Sequence, residues 1–191
     1  MPDVEKGEKI ILPRRDIIKR AKDIRLLLLD VDGVLTDGRI IFDGAGEEWK
    51  FFNVKDGHGI KMLQRAGLAV GILSGRSSRA VRVRARDLGI ALVIQKAFDK
   101  GQALEKIITQ KHIEPRQICY VGDDVVDIPV FSRVGLAVAV ADSVAEAKAG
   151  AHYITRCPGG RGAVREVCDL LLKCQGKWPE VTKKYFQSLP E

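Results

Sequence analysis

The feature that most constrains the fold of this chain is an alternation of short apolar runs with longer segments of helical spacing. The runs are apolar throughout, which is typical of strands buried on both faces of a parallel sheet. Strands are predicted at 25–29, 68–73, 91–95, 117–122, 135–140 and 152–155, and helices at 56–66, 77–88, 99–111, 124–133, 143–149 and 163–173. Together they predict an α/β fold with a doubly wound, mostly parallel, Rossmann-like sheet.

One stretch, residues 38–53, breaks this alternation. Its sequence, GRIIFDGAGEEWKFFN, has two apolar runs around a turn-rich DGAG, which predicts a small β-hairpin. A chain of 191 residues with 46% hydrophobic content suits one domain with a sizeable core. We expect this domain to span residues 21–173, with residues 1–20 as an N-terminal extension and residues 174–191 as a C-terminal tail, both on the surface.

The composition narrows the possible partners. The net charge of +7 would attract nucleic acid, a membrane surface or an anionic small molecule. The bases are densest at residues 76–86, but aromatic residues do not interleave with them, which argues against a platform for single-stranded nucleic acid. No apolar run approaches the ~20 residues of a membrane span. We therefore expect an anionic metabolite as the partner, with neither nucleic acid nor a membrane.

The N-terminal residues and the cysteines predict the compartment. The opening MPDVEKGEKIILPRRD mixes acids and bases and has no long apolar stretch, so we expect no signal peptide. The four cysteines form no CxxC pair and are expected to be free thiols, as is usual in a reducing cytosol. They are Cys119, Cys157, Cys168 and Cys174. A cytoplasmic location follows as the expectation.

Polar side chains follow four of the predicted strands, at the points where these strands end. They are Asp30 and Asp32, Ser74, Asp99 and Lys100, and Asp123, Asp124 and Asp127. Ligands of open α/β sheets bind outside the carboxyl ends of the strands. Any one of these residues can be an ordinary helix cap or a solvated charge. Four strand ends that bring acids, a hydroxyl and a lysine to one edge instead favour a functional site.

The chemistry of these side chains favours phosphoryl transfer. Close carboxylates repel one another unless a cation lies between them, and Mg²⁺ prefers oxygen ligands and shares them with phosphate. A carboxylate can attack phosphorus, and a second one can move the protons. Lys100 and Ser74 would neutralise and orient the phosphoryl oxygens. No His–Cys set offers a zinc site, no P-loop motif is present, and Val34 and Ile41 occupy positions where a calcium-binding loop starting at Asp30 needs oxygen ligands.

Four short motifs carry a resemblance to a known family. DVDGVLTDG, SGR, DK and GDDVVD, in this order, resemble the motifs of the haloacid dehalogenase superfamily of phosphatases. The resemblance covers roughly residues 21–173 and implies Asp30 as the nucleophile and Asp32 as the general acid and base. It also implies Mg²⁺ bound by the Asp30 carboxylate, the Asp32 backbone carbonyl and the Asp123 carboxylate.

The same resemblance assigns the remaining polar residues and the closure of the site. Ser74 and Lys100 would bind the phosphoryl group, while Asp127 and Asp124 would hold Lys100 and the waters on the metal. Members of the superfamily usually choose substrates with a cap domain, and residues 38–53 are too few for a helical cap. A capless enzyme is therefore expected, with a neighbouring subunit as the lid.

Longer segments resemble one branch of the superfamily more closely. FNVKDGHGIK, VGLAVAVADS and GGRGAVREVCDLLL are similar to the tetrameric phosphatases that release 3-deoxy-D-manno-octulosonate (KDO) from its 8-phosphate in lipopolysaccharide biosynthesis. The implied substrate contacts are Asp32, Asn53, Val54, Lys55, Asp56, Gly57, Lys61, Arg76, Arg84 and Lys100. Lys55 and Lys61 stand where that pattern has arginine, which keeps the charge but loses bidentate binding of a carboxylate. Arg161, in PGGRG, is expected to reach into an adjacent subunit's site.

Two other functions remain open on the sequence. One is a phosphatase for a nine-carbon sugar acid phosphate, of the KDN or sialic acid 9-phosphate type. The other is a non-catalytic module that keeps the fold and binds a polyanion with its arginine-rich helix; the intact acids, serine and lysine argue against it.

Overall fold

A six-stranded parallel sheet forms the centre of the protein in the computed structural model, which describes residues 14–186. Its strands are β1 (Leu26–Leu29), β4 (Ala69–Leu73), β5 (Leu92–Ile94), β6 (Ile118–Gly122), β7 (Leu136–Ala139) and β8 (Tyr153–Ile154). Two further strands, β2 (Ile41–Phe42) and β3 (Glu48–Trp49), form a separate antiparallel hairpin. The spatial order β5-β4-β1-β6-β7-β8 reverses direction at β1, as in doubly wound folds.

Helices cover both faces of the sheet, because the side chains of each strand alternate between the faces. The helices are α1 (Arg14–Asp23), α2 (Val54–Arg65), α3 (Arg79–Leu88), α4 (Lys100–Lys111), α5 (Ile128–Phe131), α6 (Ala145–Gly150), α7 (Ala163–Cys174) and α8 (Trp178–Phe186). In β1, Leu27 and Leu29 belong to the core under α1, α2, α3 and α7. Leu26 and Leu28 belong to the core under α4, α5 and α6. The predicted doubly wound, mostly parallel sheet is confirmed.

The predicted helix at 124–133 is shorter than expected. The structure has a 3₁₀ turn at Val125–Asp127, followed by the four-residue α5. Pro129 lies in the first turn of α5, where its missing N–H costs nothing, but it cannot continue a helix that began at residue 124. The other predicted strands and helices differ from the observed ones only by a few residues at their ends.

The N-terminal residues are not all a surface appendage, which corrects the expectation for residues 14–20. Within α1, Ile17 and Ala21 are buried in the larger core, and the helix packs against α7. Toward the other end, α8 buries Val181 and Thr182 and packs against α7 as well. Residues 1–13 and 187–191 lie outside the described residues. None of the helices in the described part of the chain is long and apolar enough to cross a membrane.

The predicted hairpin is present, and its short strands pair Ile41 with Trp49 and Phe42 with Glu48. Across 38–53, the structure shows these two short strands joined by a turn and no helical cap. Large apolar side chains of this segment face the solvent, namely Ile40, Phe42, Trp49 and Phe51, with exposures of 50–61%.

The register of the sheet determines which residues meet at its carboxyl edge. Leu29 of β1 is aligned with Ile72 of β4 on one side and with Val121 of β6 on the other. The residues that follow these three positions therefore leave the sheet at the same level. This places the polar residues after β1, β4 and β6 around one edge.

Candidate active site

Asp30 is the first residue after β1, and it is 6% exposed. Its Oδ1 accepts a hydrogen bond from the Val31 N–H at 2.7 Å, and its Oδ2 accepts one from Lys100 Nζ at 2.5 Å. The Asp30 N–H donates to the Val121 carbonyl at 3.0 Å, which continues the β1–β6 pairing. The carboxylate is thus held in one orientation by the strand end and by a lysine.

Lys100 is a buried cation that joins three side chains of the site. Besides Asp30, its Nζ donates to Asp127 Oδ1 at 2.6 Å and to the Tyr120 hydroxyl at 3.2 Å. Burial lowers the pKa of Lys100, but the charges of Asp30 and Asp127 raise it more, so the pKa ends above its usual value. The ammonium therefore stays charged, and it is available to a phosphoryl oxygen beside Asp30.

Asp127 is fully buried and anchors the loop after β6. Its Oδ2 accepts from the backbone N–H groups of Asp123 at 2.8 Å and Asp124 at 3.2 Å, while Oδ1 accepts from Lys100 and from the Tyr120 hydroxyl at 2.6 Å. A Cβ at Gly122 would overlap this carboxylate, so the glycine in GDDVVD is required by packing. With its oxygens occupied in this way, Asp127 orients the site.

Asp124 does not bind Lys100, contrary to the expectation, whereas its expected contact with waters on a metal stays a prediction. Its side chain is exposed, and its Oδ1 accepts from the Val125 N–H at 2.6 Å. It therefore caps the 3₁₀ turn, and it is Asp127 that holds Lys100.

A divalent cation fits the acidic cluster of this edge. Carboxylate oxygens of Asp30, Asp123 and Asp127 lie within 4.8 Å of one another. Burial raises the pKa of Asp123 to about 8, helped by the charges of Asp30 and Asp127, and burial raises the pKa of Asp30 to about 6. Burial and the neighbouring carboxylates thus disfavour the charged forms of Asp30 and Asp123, and a hard cation with oxygen ligands would stabilise those forms. Asp30 and Asp123 are the two carboxylates placed to bind it.

Gly33 makes room for this cluster. Its φ of +83° is the left-handed conformation that favours glycine, and an added Cβ would overlap the Asp123 carboxylate. The glycine of DVDG is therefore needed for the backbone turn and for the position of Asp123.

Ser74 follows β4, the neighbour of β1, and it is 3% exposed. Its Oγ accepts from the Arg76 N–H at 3.3 Å, which leaves the hydroxyl proton to donate. The structure thus brings Ser74 to the same edge as Asp30 and Lys100.

Four charged side chains form what we call the charge ring: Asp32, Glu48, Lys50 and Arg76. Lys50 Nζ pairs with Asp32 Oδ1 and lies 3.3 Å from Glu48 Oε1. Arg76 donates from Nη2 to Glu48 Oε1 at 2.8 Å, and its Nε lies 3.7 Å from Asp32 Oδ2. Acids and bases alternate around the ring, and it connects the hairpin to the ends of β1 and β4.

Residues 158–162, the glycine loop, pack directly on the loop after β1. A Cβ on Gly159 would overlap the Gly33 carbonyl, and one on Gly160 would overlap the backbone of Thr36. The glycines therefore let this loop pack closely on the backbone of residues 33–37. Arg161, at the surface of this loop, helps to lower the pKa of Asp37, after the larger influence of Arg39.

Asp56, one of the residues expected to contact the substrate, is a buried acid that binds backbone groups of its own chain, and its contact with substrate stays a prediction. It is 1% exposed, and its two oxygens accept from the backbone N–H groups of Arg165 at 2.7 Å and Gly162 at 3.3 Å. It thus caps α7 and holds the end of the glycine loop. Asn53 supports the same loop, since its Nδ2 donates to the Gly160 carbonyl at 3.3 Å while its Oδ1 caps α2.

The other residues expected at the substrate form a second group on α2 and α3. Arg84 stacks 5.9 Å from the Phe52 ring and passes over Gly57, where a Cβ would overlap its guanidinium. Lys61 Nζ lies beside Gly89, at the end of α3, so it is not brought into the acidic cluster of its own chain. Val54 and Lys55 are exposed in the first turn of α2. Contacts of this group with substrate remain a prediction.

Tyr120, Glu48 and Lys50 lie at the site although the sequence patterns did not predict them there. Tyr120 offered a signal, because a tyrosine in an otherwise apolar buried strand needs a partner for its hydroxyl. Glu48 and Lys50 alternate in sequence with Trp49, which indicates that they share one face of the chain. The local sequence does not show whether that face meets the rest of the protein.

The fold and the site define a haloacid dehalogenase-like hydrolase, the family whose pattern matches residues 88–166. Two proteins named 3-deoxy-D-manno-octulosonate 8-phosphate phosphatase KdsC, from Yersinia pestis and Escherichia coli K12, are each 48% identical to this chain. The alignments cover 85% and 86% of this chain and 87% and 88% of those proteins. The chain belongs to the family of these phosphatases. A crystal structure of the phosphatase of that name from Moraxella catarrhalis, with magnesium, phosphate and KDO, has a TM-score of 0.89 at 39% identity, covering 91% of this chain and 99% of that chain.

The raised pKa values predict that Mg²⁺ stabilises the protein more at high pH. Asp30 and Asp123 take up protons on folding, since both pKa values lie above the ordinary 3.8. The stability linked to this uptake is present at low pH and is lost as pH rises through about 6 and about 8. Mg²⁺ replaces those protons, so it should raise the melting temperature by more than ~3 °C at pH 8.5 and by less than ~1 °C at pH 5.5, relative to EDTA. Asp123→Asn should abolish the gain, and an equal gain of the unsubstituted protein at both pH values would contradict the interpretation.

The contact between Gly33 and Asp123 predicts a specific loss on substitution. Gly33→Ala should raise the Mg²⁺ concentration required for half-maximal phosphate release at least ~10-fold, because the methyl group displaces the Asp123 carboxylate. Gly67→Ala is the matched control, since Gly67 has a φ of +80° but no atom within 4 Å of an added Cβ. Both variants bear the same backbone strain, so a similar magnesium requirement in the two would show that strain alone matters.

Proposed function

We propose that this chain is a Mg²⁺-dependent phosphatase that hydrolyses KDO 8-phosphate to KDO and phosphate, as a cytoplasmic step of lipopolysaccharide biosynthesis. The observation that carries the proposal is the buried Asp30 carboxylate, held by Lys100 beside an acidic cluster that fits a divalent cation. The names of the relatives from Y. pestis and E. coli support the substrate, and the ligands of the M. catarrhalis structure support the metal and the product.

In the first half of the proposed reaction, an Asp30 oxygen attacks phosphorus and the bond from phosphorus to the sugar oxygen breaks. Asp32 donates a proton to that oxygen, which leaves as the sugar hydroxyl. In the second half, water attacks the aspartyl-phosphate, Asp32 takes the water proton, and phosphate leaves with Asp30 restored. Mg²⁺, bound by the Asp30 and Asp123 carboxylates and the Asp32 carbonyl, would offset charge on the phosphoryl oxygens.

Lys100 and Ser74 contribute binding and electrostatics in this scheme. The Lys100 ammonium lies within hydrogen-bond distance of Asp30 and is held by Asp127, so it faces the oxygens of a phosphoryl group on Asp30. The Ser74 hydroxyl donates from the neighbouring strand end. Such fixed donors provide much of the catalysis in phosphoryl transfer, because the transition state is mainly stabilised by position and charge.

A sugar acid phosphate carries a phosphate at one end and a carboxylate at the other, so its site needs cations besides those at the phosphate. Arg76 is in the charge ring next to Asp32, and Arg84, Lys55 and Lys61 belong to the group on α2 and α3. We assign recognition of the sugar acid to these cations, with residues 53–57 supplying further contacts.

We further propose a homotetramer in which a neighbouring subunit closes each site. The exposed apolar side chains of the hairpin segment support this, because a monomer rarely leaves several such groups exposed within one short segment. The exposed Arg161, Val54 and Lys55 would then face the substrate of an adjacent subunit.

The nucleophile assignment predicts a variant that binds but does not turn over. Asp30→Asn should lower phosphate release from KDO 8-phosphate by more than ~10³-fold, while folding and Mg²⁺-dependent binding of the sugar phosphate largely survive. Malachite green assays measure the release and calorimetry measures the binding. Near-normal hydrolysis by this variant would refute the assignment of Asp30 as the nucleophile.

Wild-type rates on KDO 8-phosphate and on a nine-carbon sugar acid 9-phosphate test the substrate in the same assay. Full activity in EDTA would refute the proposed dependence on Mg²⁺. Salt-dependent binding of nucleic acid without any phosphate release would favour the polyanion-binding module instead.

The proposed homotetramer predicts that loss of apolar side chains from the hairpin weakens both assembly and activity. Phe42→Ser combined with Trp49→Ser should shift a tetramer toward smaller species in analytical ultracentrifugation, and should lower kcat/KM because the lid is lost. Phe186→Ser, at a 60% exposed phenylalanine on α8, is the control for loss of surface apolar area. A fully active wild-type monomer would contradict the proposal.

A further inference from the structure

Lys50 is a buried charge on an otherwise exposed hairpin. Its side chain is 1% exposed, whereas its neighbours Trp49 and Phe51 are 56% and 61% exposed. This is the period-two alternation of extended chain, with the lysine facing inward. Burying an ammonium group is costly unless it is paired, so its partners indicate why it is there.

Those partners include the carboxylate that moves protons in the proposed reaction. Lys50 pairs with Oδ1 of Asp32, and Arg76 faces Oδ2 of the same carboxylate at 3.7 Å. Each oxygen of Asp32 thus has a cation on its own side, and together the two cations define the rotation of the carboxylate group. A proton carrier must present one oxygen to the reacting group within hydrogen-bond distance, so this rotation matters for the rate.

Glu48 holds both cations in place. Its Oε1 accepts from Arg76 at 2.8 Å and lies 3.3 Å from Lys50 Nζ. Its side chain is only 13% exposed, and it lies in β3, two residues before Lys50, which follows the end of that strand. The hairpin therefore supplies one acid and one base that complete a closed set of ion pairs around Asp32.

We propose that Lys50 is a positioning residue of the active site, which acts on the reaction through the Asp32 carboxylate. The inference rests on the proposed phosphatase function and adds a residue to it. Lys50 does not have to touch the substrate in this role. Its effect should disappear when Asp32 can no longer move a proton.

A double-mutant cycle on p-nitrophenyl phosphate tests this dependence. Its leaving group departs without a proton, so Asp32 is needed only in the second half, where it takes the proton of the attacking water, and variants of Asp32 lose less activity than on a sugar phosphate. Lys50→Met should lower kcat ~10- to 100-fold in the wild-type background, the loss usual for groups that orient a reactive residue, with KM changed less than ~3-fold. In the Asp32→Asn background the same substitution should lower kcat less than ~2-fold further. Lys50→Arg should keep kcat within ~3-fold of wild type.

Arg39→Met is the matched control, because Arg39 is an exposed cation in the same segment, paired with Asp37. It should leave kcat within ~2-fold of wild type, and melting temperatures check that each variant is folded. Equal losses in the two backgrounds would show a structural role and overturn the inference. A rise in KM with unchanged kcat would make Lys50 a substrate ligand and would also overturn it.

The outcome is separable from that of the proposed function. A wild-type protein that hydrolyses p-nitrophenyl phosphate but not KDO 8-phosphate refutes the substrate, and the cycle on p-nitrophenyl phosphate still decides the role of Lys50. Conversely, an active KDO 8-phosphate phosphatase with additive losses refutes only the role of Lys50.

Discussion

The Lys100 ammonium, held between Asp30 and Asp127, is the interaction on which the site depends. A buried cation of this kind is tolerated only when its partners are in position, and loss of one partner of a buried ion pair typically costs about 3–5 kcal/mol. The ends of β1 and β6 and the beginning of α4 must therefore meet at one point. The Tyr120 hydroxyl, from within β6, completes the set. The ion pairs that the site needs therefore form only when the sheet is correctly packed.

This arrangement leaves the site with more negative than positive charge. Lys100 lowers the pKa values of Asp30 and Asp123, but burial and the neighbouring carboxylates outweigh it, so both pKa values lie above the usual range. A divalent cation relieves the repulsion and at the same time turns an edge that would repel phosphate into one that binds it. The same excess of negative charge that lowers the stability of the metal-free site therefore recruits the cation that binds an anionic substrate.

Much of this was predictable from the sequence because it depends on local patterns. Apolar runs that end in acids specify both the strands and the edge at which the acids lie. The rest depends on distant partners. Asp56 resembles any polar residue at the start of a helix, and its actual partners, at 162 and 165, are adjacent only in the folded chain. The core role of Ile17 in α1 likewise requires α7, and the inward direction of Lys50 requires the ends of β1 and β4.

Residues 48–51 of the hairpin segment alternate between two incompatible surfaces: Glu48 and Lys50 face Asp32 and Arg76, whereas Trp49 and Phe51 face the solvent. Because side chains of extended chain switch sides at every step, gain or loss of one residue between Glu47 and Phe51 would exchange the two surfaces. An aromatic side chain would then face Asp32, and Lys50 would face the solvent. The length of the DGAG turn does not affect this alternation, whereas the number of residues from Glu48 to Phe51 is constrained by it.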